Sequence, residues 1–413
     1  MLKNGKWNVL LFLAPLYLLF ILFLAGIGKS DVSDLEMRKL QERPVLTWDS
    51  LWSGQYFRDY ENYVADHFVF REPFLKLSTF LGELRGGIGE EGVEIVYNNP
   101  GQQQAPAGGG EEQEPTESQL FDNYIVVGNK AVFLYYYTPL AAETYAETMN
   151  QFQAKLGKDI PVYSLIVPTL TDFIDNPDVR KLSPSQKEAI QYTYDHFNEG
   201  VTGIDAHALL NDHKDEYTYF RTDHHWISLG AYYAYEAFMN EREEQPVPLE
   251  DYESWSIIDF LGTTYNATLQ PKLAENPDQI TVYEPFVDYE YLREKNGKML
   301  SGQVVDADYA SDYGKFAVFL GGDSPWAEIE TEVENGKSLL IVKDSYANPF
   351  IPFLLPHYQH IYIADMRYYE DDLIQFVRDS NVDEVLFLNS SSVTSHTGYT
   401  RLLIDKFGLD IPY

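Results

Sequence analysis

Apolar and polar residues along this chain follow three successive rhythms, each predicting a different kind of element. The first is an uncharged apolar run over residues 7–27. About twenty apolar residues are enough to cross a bilayer as a helix. The run therefore predicts an N-terminal anchor, with residues 1–30 as cytoplasmic stub and membrane helix. Lys3 and Lys6 precede it and an acidic body follows, which predicts a cytoplasmic N-terminus and an outward-facing body. A cleaved signal peptide is the competing reading, but the run is long for one and Ala25-Gly26 is only a partial cleavage signal. Phe57, Tyr60, Val64 and Phe68 then recur at helical spacing and predict a membrane-proximal helical region over 31–97.

The second rhythm is no rhythm at all. Residues 98–120 are rich in Pro, Gly, Gln and Glu, which bury too little apolar surface to order a chain. They predict a disordered insertion.

The third rhythm fills residues 121–413. Two apolar runs around Gly128-Asn129-Lys130 predict a hairpin over 124–137. A helix is expected over 141–156. The continuous apolar stretch 160–168 reads as a strand buried on both faces, as in a parallel sheet. A helix over 183–198, a strand over 201–204 and a helix over 229–239 follow. Residues 247–335 break the alternation with short runs rich in Asp, Glu, Tyr and Gly, predicting a β-rich insertion. Alternation then returns, with strands at 338–342, 360–364 and 384–388, and helices at 349–357, 371–379 and near 400–407. This pattern predicts an α/β domain around a parallel sheet.

Composition narrows the partners. The formal net charge of −34 repels nucleic acid and anionic headgroups. The absence of cysteine excludes disulfides and thiolate metal sites. The 32 tyrosines suit both packing and carbohydrate contact.

Candidate chemistry centres on RTDHHWISLG, residues 221–230. In an extended segment Asp223 and His225 share one face, with His224 and Trp226 on the other. An aspartate beside a histidine orients it and stabilises its imidazolium, which is half of a nucleophilic triad. Two serines compete to complete it. Ser324 follows Gly321-Gly322-Asp323 but leads into an expected hairpin over 329–342. Ser345, in Lys343-Asp344-Ser345-Tyr346, follows a strongly apolar strand and precedes a helix, with Asn348 as cap and Pro349 as first helical residue. A serine on a sharp strand-to-helix turn exposes its Oγ, so Ser345 is the candidate nucleophile. Asn389, Arg367 and Tyr346 are the candidates for oxyanion or substrate binding, and Arg367 alternatively pairs with Asp365. A metal-dependent reading would draw ligands from His207, His213, His224, His225, Asp205, Asp212 and Asp223, but no HExxH-like spacing supports it. No metal or other cofactor is expected.

These motifs resemble the DHHW protein family of bacterial membrane-anchored proteins, related to alginate O-acetylation proteins of the SGNH-hydrolase-like group. The matching pieces are Thr222-Asp223-His224-His225-Trp226, FLGGDSPW over 319–326, VKDSYANPFIPFL over 342–354 and IADMRYY over 363–369. The resemblance implies an SGNH-type α/β/α sandwich, circularly permuted because Asp223 and His225 precede Ser345. It also implies a single-pass protein of the bacterial cell membrane, with an extracellular domain that modifies a cell-surface polysaccharide. Several relatives work with a multi-spanning membrane acyltransferase, which makes one a possible partner. The family's Asp-x-His-Trp carries onto Asp223 and His225, and its nucleophile onto Ser345. Lys343 stands where many SGNH enzymes have a glycine. The expected function is a serine O-acyltransferase or esterase, with acetyl as the group. The alternative is a non-catalytic glycan-binding or assembly protein of the same fold.

Overall fold

The computed structural model of the chain describes residues 3–24, 31–33, 35, 38–77, 93–97, 123–157, 159–311 and 314–412. The segment expected to be disordered lies outside the described residues, as does the expected helical region beyond residue 77 apart from one strand. A helix spans Lys3–Leu24, with side chains described over 12–22. Among the described residues no helix is long and apolar enough to cross a membrane. Two further helices, Trp48–Trp52 and Gln55–Asp66, follow. The second carries Phe57, Tyr60 and Val64 of the expected spacing and ends before Phe68.

An eight-stranded mixed sheet organises the body. Its strands lie in the order Lys298–Ser301, Tyr289–Lys295, Trp326–Thr331, His360–Ala364, Ser338–Lys343, Glu384–Ser390, Val162–Val167 and Val201–Gly203. The last five are parallel to one another. The first three join antiparallel. The parallel sheet expected from sequence is present in five strands, and an antiparallel flank extends it. Those flanking strands come from the region expected to be an insertion; Tyr289–Lys295 and Lys298–Ser301 are largely half-buried or exposed and form a short-looped hairpin at the sheet edge, whereas Trp326–Thr331, beside the parallel strands, is mostly buried.

The hairpin expected between Trp326–Thr331 and Ser338–Lys343 does not form, because His360–Ala364 lies between them. All six residues of Ser338–Lys343 are buried, so the strand requires a neighbour on each side. It takes two parallel ones.

Alternation along this central strand divides the core. Leu339 and Ile341 pack with Trp226, Phe238 and Phe353 on one face of the sheet. Leu340 and Val342 pack with Tyr145, Phe152 and Phe407 on the other. Helix Ser228–Glu241 covers the first face, and helices Pro139–Leu156, Leu373–Asp379 and Gly398–Lys406 cover the second. The result is a three-layer α/β arrangement. Beside it, the expected hairpin Asn123–Val127 with Lys130–Phe133 gains a third strand, Val93–Tyr97. A two-stranded sheet, Ser254–Phe260 with Asp278–Tyr283, and helix Thr263–Thr268 form one wall of the site.

Candidate active site

The strand Ser338–Lys343 ends at the carboxyl edge of the parallel sheet, the edge where open α/β sheets place their sites. A short 3-10 turn, Ser345–Ala347, begins at once. Asp344 caps it, while the helix expected to start at Pro349 behind an Asn348 cap is a 3-10 segment, Ile351–His357, with Phe350 at its cap position. One Asp344 oxygen accepts from Tyr346 N–H at 3.0 Å and the other from Ser390 N–H at 2.6 Å. The nucleophile turn is thereby fastened to the end of the neighbouring strand Glu384–Ser390. Asn348 instead receives the Lys343 ammonium, with Nζ to Oδ1 at 2.8 Å.

The histidine loop approaches from the opposite helix layer. Tyr219 and Trp226 form an antiparallel bridge, and residues 220–225 make a tight loop between them. Its carbonyl and amide groups are anchored on three sides. Asp278 accepts from Thr222 Oγ1 at 2.6 Å, from Thr222 N–H at 2.7 Å and from Arg221 Nε at 2.9 Å. Arg221 C=O accepts from Ala131 N–H at 2.9 Å, and Thr222 C=O from Tyr265 N–H at 2.9 Å.

Within this loop Asp223 Oδ1 accepts from its neighbour's His225 N–H at 3.0 Å and lies 2.6 Å from His225 Nδ1. His225 Nε2 lies 2.7 Å from Ser345 Oγ. The structure therefore brings Asp223, His225 and Ser345 into one hydrogen-bonded chain. With Nδ1–H donating to the carboxylate, Nε2 is the acceptor for the serine proton, the tautomer a general base needs. Asp223 Oδ2 accepts from Thr263 N–H at 2.8 Å and Thr263 Oγ1–H at 3.0 Å. Burial disfavours the charged Asp223 carboxylate. The His224 and His225 imidazoles, with hydrogen bonds from His225 and Thr263, outweigh this and hold it well below the usual carboxylate range.

The bent loop overturns one expectation. His224 was expected on the face opposite His225, as in an extended strand. Here the two ring centroids are 3.7 Å apart, because an Asp223 side-chain bond to His225 N–H turns the backbone and removes the two-residue alternation. Phe316 stacks on His225 at 4.2 Å.

The other candidate residues occupy different positions from those expected. Tyr346 is fully buried and clamps the two halves of the site together. Its phenol donates to His224 C=O, and its own carbonyl accepts from Trp226 Nε1 at 2.8 Å. Arg367 is held by Asp365 at 2.9 and 2.7 Å and by Asp323 at 2.9 Å. Both the phenol and the guanidinium are thus engaged by protein groups. Asn389 is buried at the end of its strand. Its Oδ1 accepts from Tyr145 at 3.2 Å, and its side chain also interacts with the Tyr399 phenol. Ser324 Oγ bonds Trp326 C=O at 3.3 Å. Lys343 is 1% exposed and reaches Asp323 at 2.5 Å.

The metal-ligand set read from sequence is not assembled. His207 pairs with Asp172 at 2.7 Å and His213 with Glu216 at 2.7 Å. Among the described residues only Asp223, His224 and His225 converge, with ligand atoms within 4.8 Å of one another. Asp223 and His225 are the residues already bonded toward Ser345, so an ion there would compete with the hydrogen-bonded chain. Sequence reasoning missed Thr263, Asp278 and Gly262. A Cβ on Gly262 would overlap the Asp223 side chain. No local signal marks these three, which act through contacts 40 and 56 residues away in the chain.

The model of the DHHW protein family matches residues 91–364, the span that carries the histidine loop and the serine turn. The chain belongs to the DHHW family. A DHHW protein from Eubacterium siraeum, known as a crystal structure, is 28% identical to this DHHW chain. It superposes with a TM-score of 0.64, covering 74% of this chain and 100% of the other. PatB1 of Bacillus cereus, solved with a sulfonyl adduct, is 21% identical with a TM-score of 0.56 over 66% of this chain and 96% of its own. A second PatB1 structure gives 20% identity and a TM-score of 0.55, over 70% and 98%. The PatB1 likeness speaks for the fold. No curated protein matches the DHHW chain.

Proposed function

We propose that this DHHW protein is a serine O-acyltransferase or esterase, of the permuted SGNH type, that moves an acetyl group on or off a cell-surface polysaccharide. The observation that carries the reading is the 2.7 Å contact between His225 Nε2 and Ser345 Oγ, continued at 2.6 Å to Asp223. Ser345 Oγ attacks the acyl carbonyl carbon while His225 Nε2 takes the serine proton. The tetrahedral intermediate collapses to an acyl-serine ester, and the proton passes from His225 to the leaving alkoxide. A second hydroxyl, from sugar or water, then gives its proton to His225 and attacks the ester; the second tetrahedral intermediate collapses, and His225 returns that proton to the departing Ser345 Oγ. Asp223 keeps His225 in the required tautomer and balances the transient imidazolium. Asn389, at the end of the strand that neighbours the Ser345 strand, is the proposed oxyanion donor.

The polysaccharide and the acetyl group come from the resemblance to alginate O-acetylation proteins. The same resemblance supports an extracellular body at the bacterial cell membrane and a multi-spanning acyltransferase as partner. The anchor is supported by the uncharged run over residues 7–27.

The test uses a sulfonyl fluoride, which forms a stable ester with an activated serine. The full-length protein should gain one sulfonyl group on Ser345, detected by peptide mass, and lose acetyl-ester hydrolysis in step. Ser345→Ala and His225→Gln should not label. Persistent labelling in Ser345→Ala, or an unmodified wild-type protein under conditions that label another serine esterase, would overturn the proposal.

A further inference from the structure

Helix Trp48–Trp52 buries none of its residues. Thr47 and Ser50 close a capping box at its start, yet so short a helix is far below the length that holds itself in water. Its persistence calls for a covering partner. Trp48 and Trp52, four positions apart and therefore on one face, are 74% and 83% exposed. Val45 and Leu46 before the helix and Phe57 on the next helix are exposed as well. Large apolar side chains so bare and so close in sequence mark an interaction surface.

The path by which the chain enters this region favours one occupant. Leu40 N–H donates to Asp31 C=O at 2.9 Å, and Val32–Ser33 pairs with Arg38–Lys39. Ser33 Oγ donates to Glu72 at 3.1 Å, and Gln41 N–H to Asp66 at 2.8 Å, which ties Asp31 and its neighbours to helix Gln55–Asp66. That helix in turn packs on Trp48–Trp52. The uncharged apolar run ends at residue 27, four positions before Asp31, and four residues reach at most about 14 Å. A run that crosses a bilayer therefore holds this module at the bilayer surface.

Residue chemistry selects the layer. Tryptophan, with an apolar ring and one polar N–H, favours the headgroup boundary over both water and hydrocarbon. Over residues 38–61 four basic side chains stand against four acidic ones, in a chain whose net charge is −34. This stretch is thus spared the repulsion from headgroups that the rest of the body meets.

We propose that the surface carrying Trp48, Trp52 and Phe57, with Val45 and Leu46, beds in the headgroup layer of a zwitterionic bilayer, as a second membrane contact beside the N-terminal run. The inference rests on that run being the anchor of the proposed function. Leu35 and Leu75 pack the module against Val126, Ala131 and Tyr265, and the N–H groups of Ala131 and Tyr265 hold the histidine loop. The contact thus fixes how the loop that bears His225 faces the membrane.

The experiment measures tryptophan emission of the full chain in vesicles of phosphatidylcholine and in vesicles whose phosphatidylcholine is brominated high in its acyl chains, where bromine quenches on contact. Trp7→Phe leaves five tryptophans. Of these, Trp48 and Trp52 should be quenched several-fold. Brominated lipid should therefore dim Trp7→Phe and leave Trp7→Phe/Trp48→Phe/Trp52→Phe unchanged, with matching melting curves to show that both fold. Equal dimming of the two chains, or none in either, overturns the inference. Comparing wild type with Trp7→Phe reads Trp7 itself. A Trp7 that escapes quenching defeats the anchor reading and this inference with it, whereas a quenched Trp7 beside unquenched Trp48 and Trp52 defeats this inference alone. Shielding of Trp48 and Trp52 from aqueous acrylamide without quenching by lipid would assign the surface to a second copy or another protein, and overturns the lipid occupant.

Discussion

At the scale of single residues, Gly262 decides whether Asp223 fits. Its φ is unremarkable, so backbone freedom is not the reason for glycine here. The reason is space: a Cβ would overlap Asp223 Cβ and Oδ2. Gly262→Ala should push the carboxylate off His225 Nδ1 and lower the turnover number at least tenfold, with KM changing far less, since no substrate contact is removed. Steady-state kinetics on an acetyl ester check this, and an unchanged turnover number would show that the carboxylate relaxes at no cost. The residues of the serine–histidine chain were legible in sequence, because an Asp-x-His pair without a nucleophile calls for one and Ser345 stood at a strand end. Thr263, Asp278 and Gly262 were illegible. Threonine, aspartate and glycine are ordinary loop residues, and their roles arise only when the chain folds back. His224 was misplaced for a related reason, since the two-residue alternation holds in strands and not in a loop bent by its own aspartate.

At the scale of elements, an ion-pair cluster ties three of them together beneath the serine. Lys343 ends the central strand, Asp323 lies in the loop before Trp326–Thr331, and Asp365 and Arg367 follow His360–Ala364. Lys343 Nζ is 2.5 Å from Asp323 and 3.6 Å from Asp365, and Arg367 bridges both aspartates at 2.9 and 2.7 Å. Loss of hydration opposes the charge on Asp323, whose side chain keeps 25% exposure, but Lys343 and Arg367 hold it well below the usual carboxylate range. Lys343 is thus a structural residue whose ammonium is met by Asp323, Asn348 and Asp365. Removing one member strands the others, which costs about 3–5 kcal/mol for buried pairs. Lys343→Met should lower stability by about 3 kcal/mol, read by denaturant unfolding of the full chain. A loss below about 1 kcal/mol, the range of exposed pairs, would show that water replaces the ammonium. The Gly-Gly-Asp-Ser stretch drew notice in sequence for its serine, whereas its aspartate is the part the fold uses. The strands Val162–Val167, Ser338–Lys343, His360–Ala364 and Glu384–Ser390 were readable because burial on both faces leaves an unbroken apolar run. The antiparallel flank was not, because half-exposed strands look alike whether they form a separate module or extend an existing sheet.

At the scale of the whole molecule, buried titratable groups make stability depend on pH. Burial pushes the His357 imidazole down to about 4, while its Nε2 sits 2.6 Å from Tyr235 OH. The unfolded chain binds that proton at the ordinary value of about 6.5. Between those values the unfolded state holds more protons, so stability is full above about 6.5 and is lost as pH falls toward 4. Asp223 and Asp323 extend the decline below about 4, where the unfolded carboxylates begin to protonate. Glu384, raised by burial, works in the opposite sense. The melting temperature should fall from pH 7 to pH 4, and His357→Gln should flatten the part of that fall between 6.5 and 4. An equally steep fall in the variant would assign the effect elsewhere.

The clasp between Asp344 and Ser390 N–H has a consequence in time. His225 and Ser345 are 120 residues apart in the chain, and the turn that holds Ser345 is tied to a strand 46 residues further on. A chain emerging from its N-terminus makes the histidine loop early but lacks the strand that sets the serine until nearly all of it is available. Contacts of such long separation form late. On the proposed function, reactivity toward an acyl ester is therefore withheld until the strand that sets Ser345 is in place. In a refolding reaction it should return only with the last phase of sheet formation, which makes the appearance of activity a clock for completion of the fold.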